Sequence, residues 1–332
     1  MKVKLGELTK IRTGKLDANA SSPDGEYPFF TCSKEPLKIS SYSYDCECVL
    51  VAGNGDLNVK YYNGKFDAYQ RTYIIEDNSN GRLYLPYLYY FMNGYVEELR
   101  KLSIGGVIKY IKLRNLTDAL IELPEIETQK YIVSILSKIK ELIDFRYQEL
   151  KMLENLIKAR FIELFGEPLS NQKGWQTMSI VEAAPIKSQR GDLGDEVWLL
   201  NLDAVEAQTG TVLFKHRVQS GKINASTVFF TTESVLYSKL RPYLNKVVMP
   251  NEDGVATSEM IPMYPLADRL NRAYLCYWLR SDAFVRHISE KVAGAKMPRV
   301  SMDYFRSLAI ELPPLELQGQ FADFVAQIDK SK

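Results

Sequence analysis

The chain carries residues that could do chemistry, but they do not form the common catalytic motifs. No Gly-X-X-X-X-Gly-Lys stretch is present to cradle phosphates, and no Gly-X-Gly-X-X-Gly opens a helix after a strand. Asp45 and Glu47 could bind a metal for hydrolysis, but the Glu-X-Lys sequence at Glu149 lies inside a predicted helix. The only Pro-Pro pair, Pro313-Pro314, follows Leu312, which excludes the Asn/Asp-Pro-Pro-aromatic motif of adenine methyltransferases. The sequence therefore predicts a protein that is not an enzyme.

Cysteine and histidine could supply metal ligands or disulfides. The Cys46-Glu47-Cys48 spacing suggests a metal site, but the only histidines, His216 and His287, are far away in the sequence. We therefore expect no metal and free buried thiols. Three of the four cysteines lie in the first 48 residues, so a disulfide framework for the whole chain is not expected. Such cysteine usage predicts a cytoplasmic protein.

Composition places the chain among ordinary globular proteins. Its 332 residues exceed one typical domain, and 46% are hydrophobic and 25% charged. The apolar runs are short and broken by charge, so we expect neither a signal peptide nor a membrane span. A net charge of +1 neither favours nor excludes a polyanionic partner.

The sequence contains an internal repeat, which predicts two similar domains. Ile121-Glu122-Leu123-Pro124 recurs as Ile310-Glu311-Leu312-Pro313, and each copy is followed at the same spacing by a glutamine, Gln129 or Gln318. Upstream segments recur too, with slightly different offsets that loop-length changes explain.

Each repeat is predicted to be a strand-rich module with a late helix. The β-branched and aromatic runs 71–75 and 226–230 predict strands. The late helices are predicted at 84–99 and 271–291.

Between the repeats, residues 125–165 contain neither Gly nor Pro and predict one long helix, about 60 Å at 1.5 Å per residue. Its apolar residues recur at helical spacing and predict a stripe that packs on a partner helix, as in a coiled coil. The alternative is a core helix within one large domain, which would need a broader apolar face. The stripe consists of Ile132, Ile135, Ile139, Leu142, Leu150, Leu153, Ile157 and Leu164.

These features together resemble the DNA-specificity subunits of type I restriction–modification systems. The resemblance lies in the two repeats with Leu-Pro-X-X-X-X-Gln, the long helix between them, and the run Leu164-Phe165-Gly166-Glu167-Pro168 followed by Lys173-Gly174-Trp175. It covers nearly the whole chain. It implies an α+β protein: a target-recognition domain (1–124), a spacer helix (125–165), a linker (166–174), a second target-recognition domain (175–314) and the start of a second spacer helix (315–332).

The resemblance also implies a function. Each domain would read one half of a bipartite double-stranded DNA site, and the helices would fix the length of the unread spacer. Two methyltransferase subunits and the restriction subunits would join the chain. S-adenosylmethionine, ATP and Mg²⁺ would bind only those partners, and no cofactor is expected here.

One departure from the family concerns the second spacer helix, which has barely begun at Lys332. The chain would then be a shortened or rearranged gene product, a shortened expression product, or a protein whose second helix comes from another chain. We hypothesise that the central stripe drives self-association.

Candidate DNA contacts lie in basic strips of both repeats, because Lys and Arg bind phosphates and Arg, Asn and Gln read bases. Each residue taken alone could be an ordinary solvated group, but recurrence in both repeats favours the sets. The candidates are Asn54, Lys60, Gln70, Arg71, Lys109 and Lys112 in the first repeat, and Lys239, Arg241, Tyr243, Lys246, Lys296 and Arg299 in the second.

Two other functions remain open from the sequence. One is a DNA-modifying enzyme with an unfamiliar site. The other is a protein-interaction scaffold whose domains have lost DNA reading.

Overall fold

The computed structural model describes residues 2–191, 193–223, 226–293 and 297–331. Contacts divide the chain into two compact units, Met1–Arg146 (unit 1) and Tyr147–Lys332 (unit 2). Both units contain strands and helices, and one long helix comes between their strands in the order of the chain, which confirms the predicted α+β class.

Unit 1 is built on a six-stranded sheet with the strand order β2-β7-β5-β6-β3-β4. Two short strands, β1 and β8, pair separately and antiparallel. The strands of unit 1 are β1 (Lys2–Lys4), β2 (Thr9–Thr13), β3 (Tyr27–Phe30), β4 (Leu37–Ile39), β5 (Tyr44–Ala52), β6 (Val59–Ala68), β7 (Thr72–Asp77) and β8 (Leu120–Glu122). The helices are α1 (Leu5–Leu8), α2 (Leu85–Leu102), α3 (Leu113–Thr117) and the first part of α4 (Ile126–Phe165).

In unit 2 the strands form smaller sheets, ordered β11-β10-β15-β12, β14-β13-β16, β17-β18 and β19-β9. They are β9 (Gln176–Ser179), β10 (Glu196–Leu200), β11 (His216–Gln219), β12 (Thr227–Phe230), β13 (Val235–Ser238), β14 (Val247–Val248), β15 (Gly254–Thr257), β16 (Met260–Met263), β17 (Val292–Ala293), β18 (Arg299–Val300) and β19 (Ala309–Leu312). The helices are α5 (Ile180–Ala183), α6 (Arg272–Arg280), α7 (Asp282–Ser289), α8 (Met302–Ser307) and α9 (Leu315–Ser331).

The late helix of the second repeat differs from its prediction. We expected one helix over 271–291, whereas the structure breaks it into α6 and α7 at Ser281. Ser281 has an extended backbone, and its hydroxyl accepts a hydrogen bond from the Phe284 amide, so it caps a new helix. The counterpart in unit 1, α2, is continuous and extends to Leu102, past the predicted end at Leu99.

The final helix, α9, is an integral part of unit 2. Phe321 is fully buried in the main apolar cluster of unit 2 and contacts Phe161 and Phe165 of α4 edge-on, with ring centroids 5.3 and 5.6 Å apart. Val325 is buried in the same cluster. The segment after Pro314 therefore closes the core of unit 2 in addition to starting a helix.

A buried glutamine ties the start of α4 to the rest of unit 1. The Gln129 carbonyl accepts a hydrogen bond from the Tyr84 amide at 2.8 Å, and its Nε2 donates to the carbonyls of Arg82 and Pro124, both at 2.8 Å. The side chain is completely buried. Its amide therefore joins the first turn of α4 to the loop that precedes α2.

Gln318 makes the equivalent three bonds in unit 2. Its carbonyl accepts from the Asn271 amide at 2.7 Å, and its Nε2 donates to Arg269 and Pro313 at 3.1 and 2.7 Å. It too is completely buried. We call this arrangement the glutamine clamp. It explains why both repeats carry a glutamine at the same distance from the Leu-Pro pair.

The predicted stripe of α4 is packed at its ends and exposed in its middle. Near the start, Ile132 is half-buried and the Ser137 hydroxyl lies 3.0 Å from the Tyr90 hydroxyl of α2. Near the end, Ile157 is fully buried, while Leu150, Leu153 and Leu164 are partly buried. Exposed fractions in the middle are 40%, 47% and 67% for Ile135, Ile139 and Leu142.

We expect loss of either glutamine clamp to destabilise its own unit. Gln129→Leu or Gln318→Leu removes three buried hydrogen bonds and leaves backbone groups unpaired, which costs about 2–4 kcal/mol of unfolding free energy. Urea unfolding followed by fluorescence measures the loss. Gln148→Leu, on an exposed position of α4, is the control. Equal stability of the clamp variants and the control would contradict a structural role for the clamp.

Candidate nucleic-acid interface

Three segments meet at one corner of unit 1, which we call the unit-1 corner: residues 53–55, Arg71 and residues 109–111. The Gly53 amide donates to the Arg71 carbonyl at 2.8 Å, and the Gly55 amide donates to the Lys109 carbonyl at 3.0 Å. The Ile111 amide donates in turn to the Gly53 carbonyl at 2.9 Å. A Cβ added at Gly53 would collide with the Arg71 carbonyl oxygen, so glycine is required at this position of the unit-1 corner.

Unit 2 has the same corner, formed by residues 239–241, Glu259 and residues 298–300. The Lys239 amide donates to the Glu259 carbonyl at 3.0 Å, and the Arg241 amide donates to the Pro298 carbonyl at 2.8 Å. The Val300 amide donates to the Lys239 carbonyl at 3.0 Å. The residues that form these bonds occupy equivalent positions in the two repeats. The unit-2 corner therefore repeats all three hydrogen bonds of the unit-1 corner.

The corners gather several of the predicted DNA contacts. In unit 1, Asn54 pairs with Tyr110 by a β-bridge, which places it beside Arg71 and Lys109. Arg71, Lys109 and Lys112 are exposed and have no side-chain hydrogen bond or ion pair to another described residue. Their charges are therefore available to an anion.

In unit 2 the corner brings together Lys239, Arg241 and Arg299, but their charges differ in availability. The Arg299 guanidinium binds the Glu259 carboxylate through Nη2 at 2.8 Å and Nε at 3.1 Å. This hydrogen bonding lowers the pKa of Glu259, with Lys239 assisting. Arg241 is exposed, and among the described residues no side-chain partner pairs with it. Its backbone is left-handed, with φ of 50°.

Three of the predicted contacts also make internal hydrogen bonds. Lys60 donates to the Ser33 carbonyl at 2.7 Å, and its burial lowers its pKa. Lys246 donates to the Leu202 carbonyl at 2.7 Å. Gln70, although exposed, donates to Asp17 at 2.9 Å. These side chains hold loops near the corners.

The two remaining candidates are Tyr243 and Lys296. Tyr243 is 46% exposed, and its carbonyl accepts a bond from the Gln208 side chain at 2.9 Å. It belongs to the short turn that follows Arg241. Lys296 lies outside the described residues.

Ion pairing separates residues that looked alike in the sequence. The acid-free stretch 99–115 contains five cations, but Arg100 pairs with Asp56 at 3.1 Å and Arg114 with Asp118 at 2.8 Å. Lys101 pairs with a glutamate one helical turn away. Only Lys109 and Lys112 of this stretch have no side-chain partner among the described residues.

Sequence reasoning missed two features of the corners. Glu259 was not singled out, although it occupies the position of Arg71 and binds Arg299. The second feature is an exposed apolar tip at Val107 and Ile108. In unit 2 the position equivalent to Ile108 is occupied by Met297, which is also exposed. The glycine pair before Val107 was a signal for an exposed turn at this place.

Searches of the described residues add two observations. Within the ranges given above, no group of three or more His, Cys, Asp or Glu side chains could hold a metal ion. Among the described helices, none is both long and apolar enough to cross a membrane.

Comparison with known families gives a match over both repeats. The model of the type I restriction modification DNA specificity domain matches residues 1–155 and again residues 173–332. Each match contains one glutamine clamp and one corner.

Two curated relatives match along almost the whole chain. The type I restriction enzyme EcoDI specificity subunit of Escherichia coli is 28% identical, over 98% of this chain and 80% of that protein. The MjaVIII specificity subunit of Methanocaldococcus jannaschii is 22% identical, over 98% of this chain and 85% of that protein.

Solved structures share the fold. The S subunit of a type I restriction-modification system from M. genitalium aligns with a TM-score of 0.62 and 14% identity, covering 100% of this chain and 89% of that one. A chain from a type I R-M system solved to explain complex assembly and conformational transition aligns with a TM-score of 0.53 and 17% identity, covering 100% and 90%.

Proposed function

The chain belongs to the type I restriction modification DNA specificity family, and from this premise we propose that it recognises a bipartite double-stranded DNA site. Unit 1 would read one half of the site and unit 2 the other half. The single observation that carries the proposal is the repeated corner, in which the same three backbone hydrogen bonds present different side chains.

The chemistry of the corners suits duplex DNA. Arg71, Lys109 and Arg241, which have no side-chain partner within the described ranges, can bind phosphates or, in the case of arginine, the O6 and N7 acceptors of guanine. The side-chain amide of Asn54 offers one donor and one acceptor, which match the N7 acceptor and the N6 amino group of adenine. In unit 2, the Glu259 carboxylate can accept a hydrogen bond from the cytosine amino group if Arg299 moves aside.

We propose that the chain directs partner subunits and performs no chemistry itself. Two methyltransferase subunits and the restriction subunits would act on the site that this chain selects. S-adenosylmethionine, ATP and Mg²⁺ would bind those partners. Since its substrate is the DNA of the cell, the assembly would work in the cytoplasm.

The long helix would determine the spacer between the two half sites. An α-helix is a stiff element whose length grows by about 1.5 Å per residue, so a fixed number of residues gives a fixed distance. The proposal assigns this role to α4, which is continuous over Ile126–Phe165.

The exposed middle of α4 also supports protein binding, which is the core of the alternative scaffold function. Leu142 is 67% exposed, and further along the helix Tyr147 and Met152 are 69% and 68% exposed. A run of exposed apolar side chains on one helix is typical of an interaction surface. DNA reading and protein binding are separable, because they involve different residues.

Methylation mapping tests the proposed function directly. We expect host cells that express the partner methyltransferase to carry adenine methylation at one split sequence only when this chain is present. Catalytically intact methyltransferase expressed alone is the control. An unchanged methylation pattern on adding the chain would contradict the proposal and favour the scaffold.

Loss of Arg241 is expected to weaken duplex binding, because its side chain has no partner among the described residues of the unit-2 corner. If Arg241 contacts a phosphate, Arg241→Ala lowers the slope of log affinity against log salt by about one unit. Titration of a labelled duplex at several salt concentrations measures this. Arg217→Ala is the matched control, since Arg217 is already paired with Glu252. Equal slopes for the wild type and Arg241→Ala would remove Arg241 from the phosphate contacts.

Acidic substitutions in the middle of α4 are expected to abolish association. Ile139→Asp with Leu142→Asp places charge on exposed apolar positions, so folding is retained while a packed helix partner is repelled. Sedimentation at micromolar concentration, with and without methyltransferase, measures the complexes. Gln148→Asp, on the opposite side of α4, is the control. A wild-type chain that stays monomeric contradicts self-association, and a variant that binds methyltransferase normally contradicts a docking role.

A further inference from the structure

A narrow hairpin projects from the unit-1 corner. The Ile104 amide donates to the Tyr110 carbonyl at 3.0 Å, and the Tyr110 amide donates back to the Ile104 carbonyl at 2.9 Å. These two bonds close a tight tip of residues 105–109. Gly105 has a φ of 118°, which is a conformation that favours glycine. The tip is therefore closed at its base by two backbone hydrogen bonds and attached to the corner through the Lys109 carbonyl.

The tip presents apolar side chains to solvent. Val107 is fully exposed and Ile108 is 63% exposed, although both are β-branched aliphatic residues. Neither belongs to the apolar clusters of unit 1. Two adjacent aliphatic side chains at the end of a closed hairpin form a blunt apolar wedge.

Cationic and base-reading residues adjoin this wedge in the chain or through a backbone bridge. Lys109 adjoins Ile108 in the chain, Lys112 follows three residues later, and Asn54 is bridged to Tyr110. Neither lysine side chain pairs with another group in the part of the chain that the structure describes. An apolar tip with lysines close by in the chain suits the DNA duplex, whose apolar base stack lies between two rows of phosphates.

The second unit presents a related group at its own corner. Met297 aligns with Ile108 through the repeat and is 47% exposed. It immediately precedes Pro298, whose carbonyl binds the Arg241 amide. An exposed apolar side chain thus lies beside the available arginine of unit 2, as it lies beside the available lysines of unit 1.

We propose that the tip formed by Val107 and Ile108 inserts between two adjacent base pairs of its half site, with Lys109 and Lys112 on the flanking phosphates. The inference rests on the proposed DNA recognition and adds a mode of reading to it. Apolar wedges of this kind unstack a base step and kink the duplex, and flexible pyrimidine–purine steps accept them at the lowest cost. The half site of unit 1 would therefore be selected partly by its deformability.

The test uses the full chain in complex with its methyltransferase and duplexes that carry 2-aminopurine at one position of the mapped site at a time. This base fluoresces when it is unstacked. With the wild type, we expect a several-fold rise at a step in the half site of unit 1. Val107→Ser with Ile108→Ser is expected to remove that rise and weaken binding about tenfold, with an unchanged salt slope, because no charge is lost.

Matched variants separate the wedge from general effects. Val107→Leu keeps an apolar tip and should retain the rise. Leu113→Ser changes another exposed apolar side chain, 46% exposed and outside the tip, and should behave as the wild type. A target base that the methyltransferase extrudes fluoresces with every variant. Evidence for the wedge therefore comes only from 2-aminopurine positions whose fluorescence changes when the tip is substituted.

The outcomes distinguish the two levels of the proposal. An assembly that shows no preference for the mapped site over competitor DNA overturns DNA recognition and the wedge with it. Site-specific binding without any tip-dependent position overturns the wedge alone. A serine variant that no longer assembles with the methyltransferase also overturns it, because the tip would then contact protein.

Discussion

Both units depend on one interaction, a buried side-chain amide that satisfies three backbone groups at once. Gln129 and Gln318 each join the first turn of a helix to the loop before the late helix of the unit. Burying these backbone groups without partners would be costly, so the amide stabilises the start of each helix. Because α4 begins at such a clamp in unit 1 and ends in the aromatic core of unit 2, its ends are fixed by packing and its middle is left exposed.

In the duplicated corner, the backbone forms the structure and the side chains are free to differ between the two units. Backbone hydrogen bonds build it in both units, so the residues at its rim can differ without changing its shape. Arg71 in unit 1 is replaced by Glu259 in unit 2, and the glutamate then binds Arg299. The same geometry thus carries an open positive charge in one unit and a neutralised pair in the other. The proposed reading of two different half sites requires this property.

The sequence predicted the helices better than it predicted the hydrogen-bond partners of the charged side chains. The long helix begins at Ile126, one residue from its predicted start, because a segment without Gly or Pro has few places to end. The break at Ser281 was missed, since a serine within a helical pattern becomes a cap only when the chain turns there. Among the predicted contacts, Lys60 and Lys246 bind carbonyls that are 27 and 44 residues away, and no local pattern signals such partners.

The sequence by itself determined the repeat, the long helix between its copies and the resemblance to a DNA-specificity family, because all three depend on residue order and spacing. Tertiary structure alone decided which cationic side chains have no partner among the described residues. It also decided that Asn54, Arg71 and Lys109 lie at one corner and that the Val107 side chain is exposed. The physical reason is that charge pairing and exposure depend on distances between segments far apart in the chain. Those distances arise only when the strands and loops have packed.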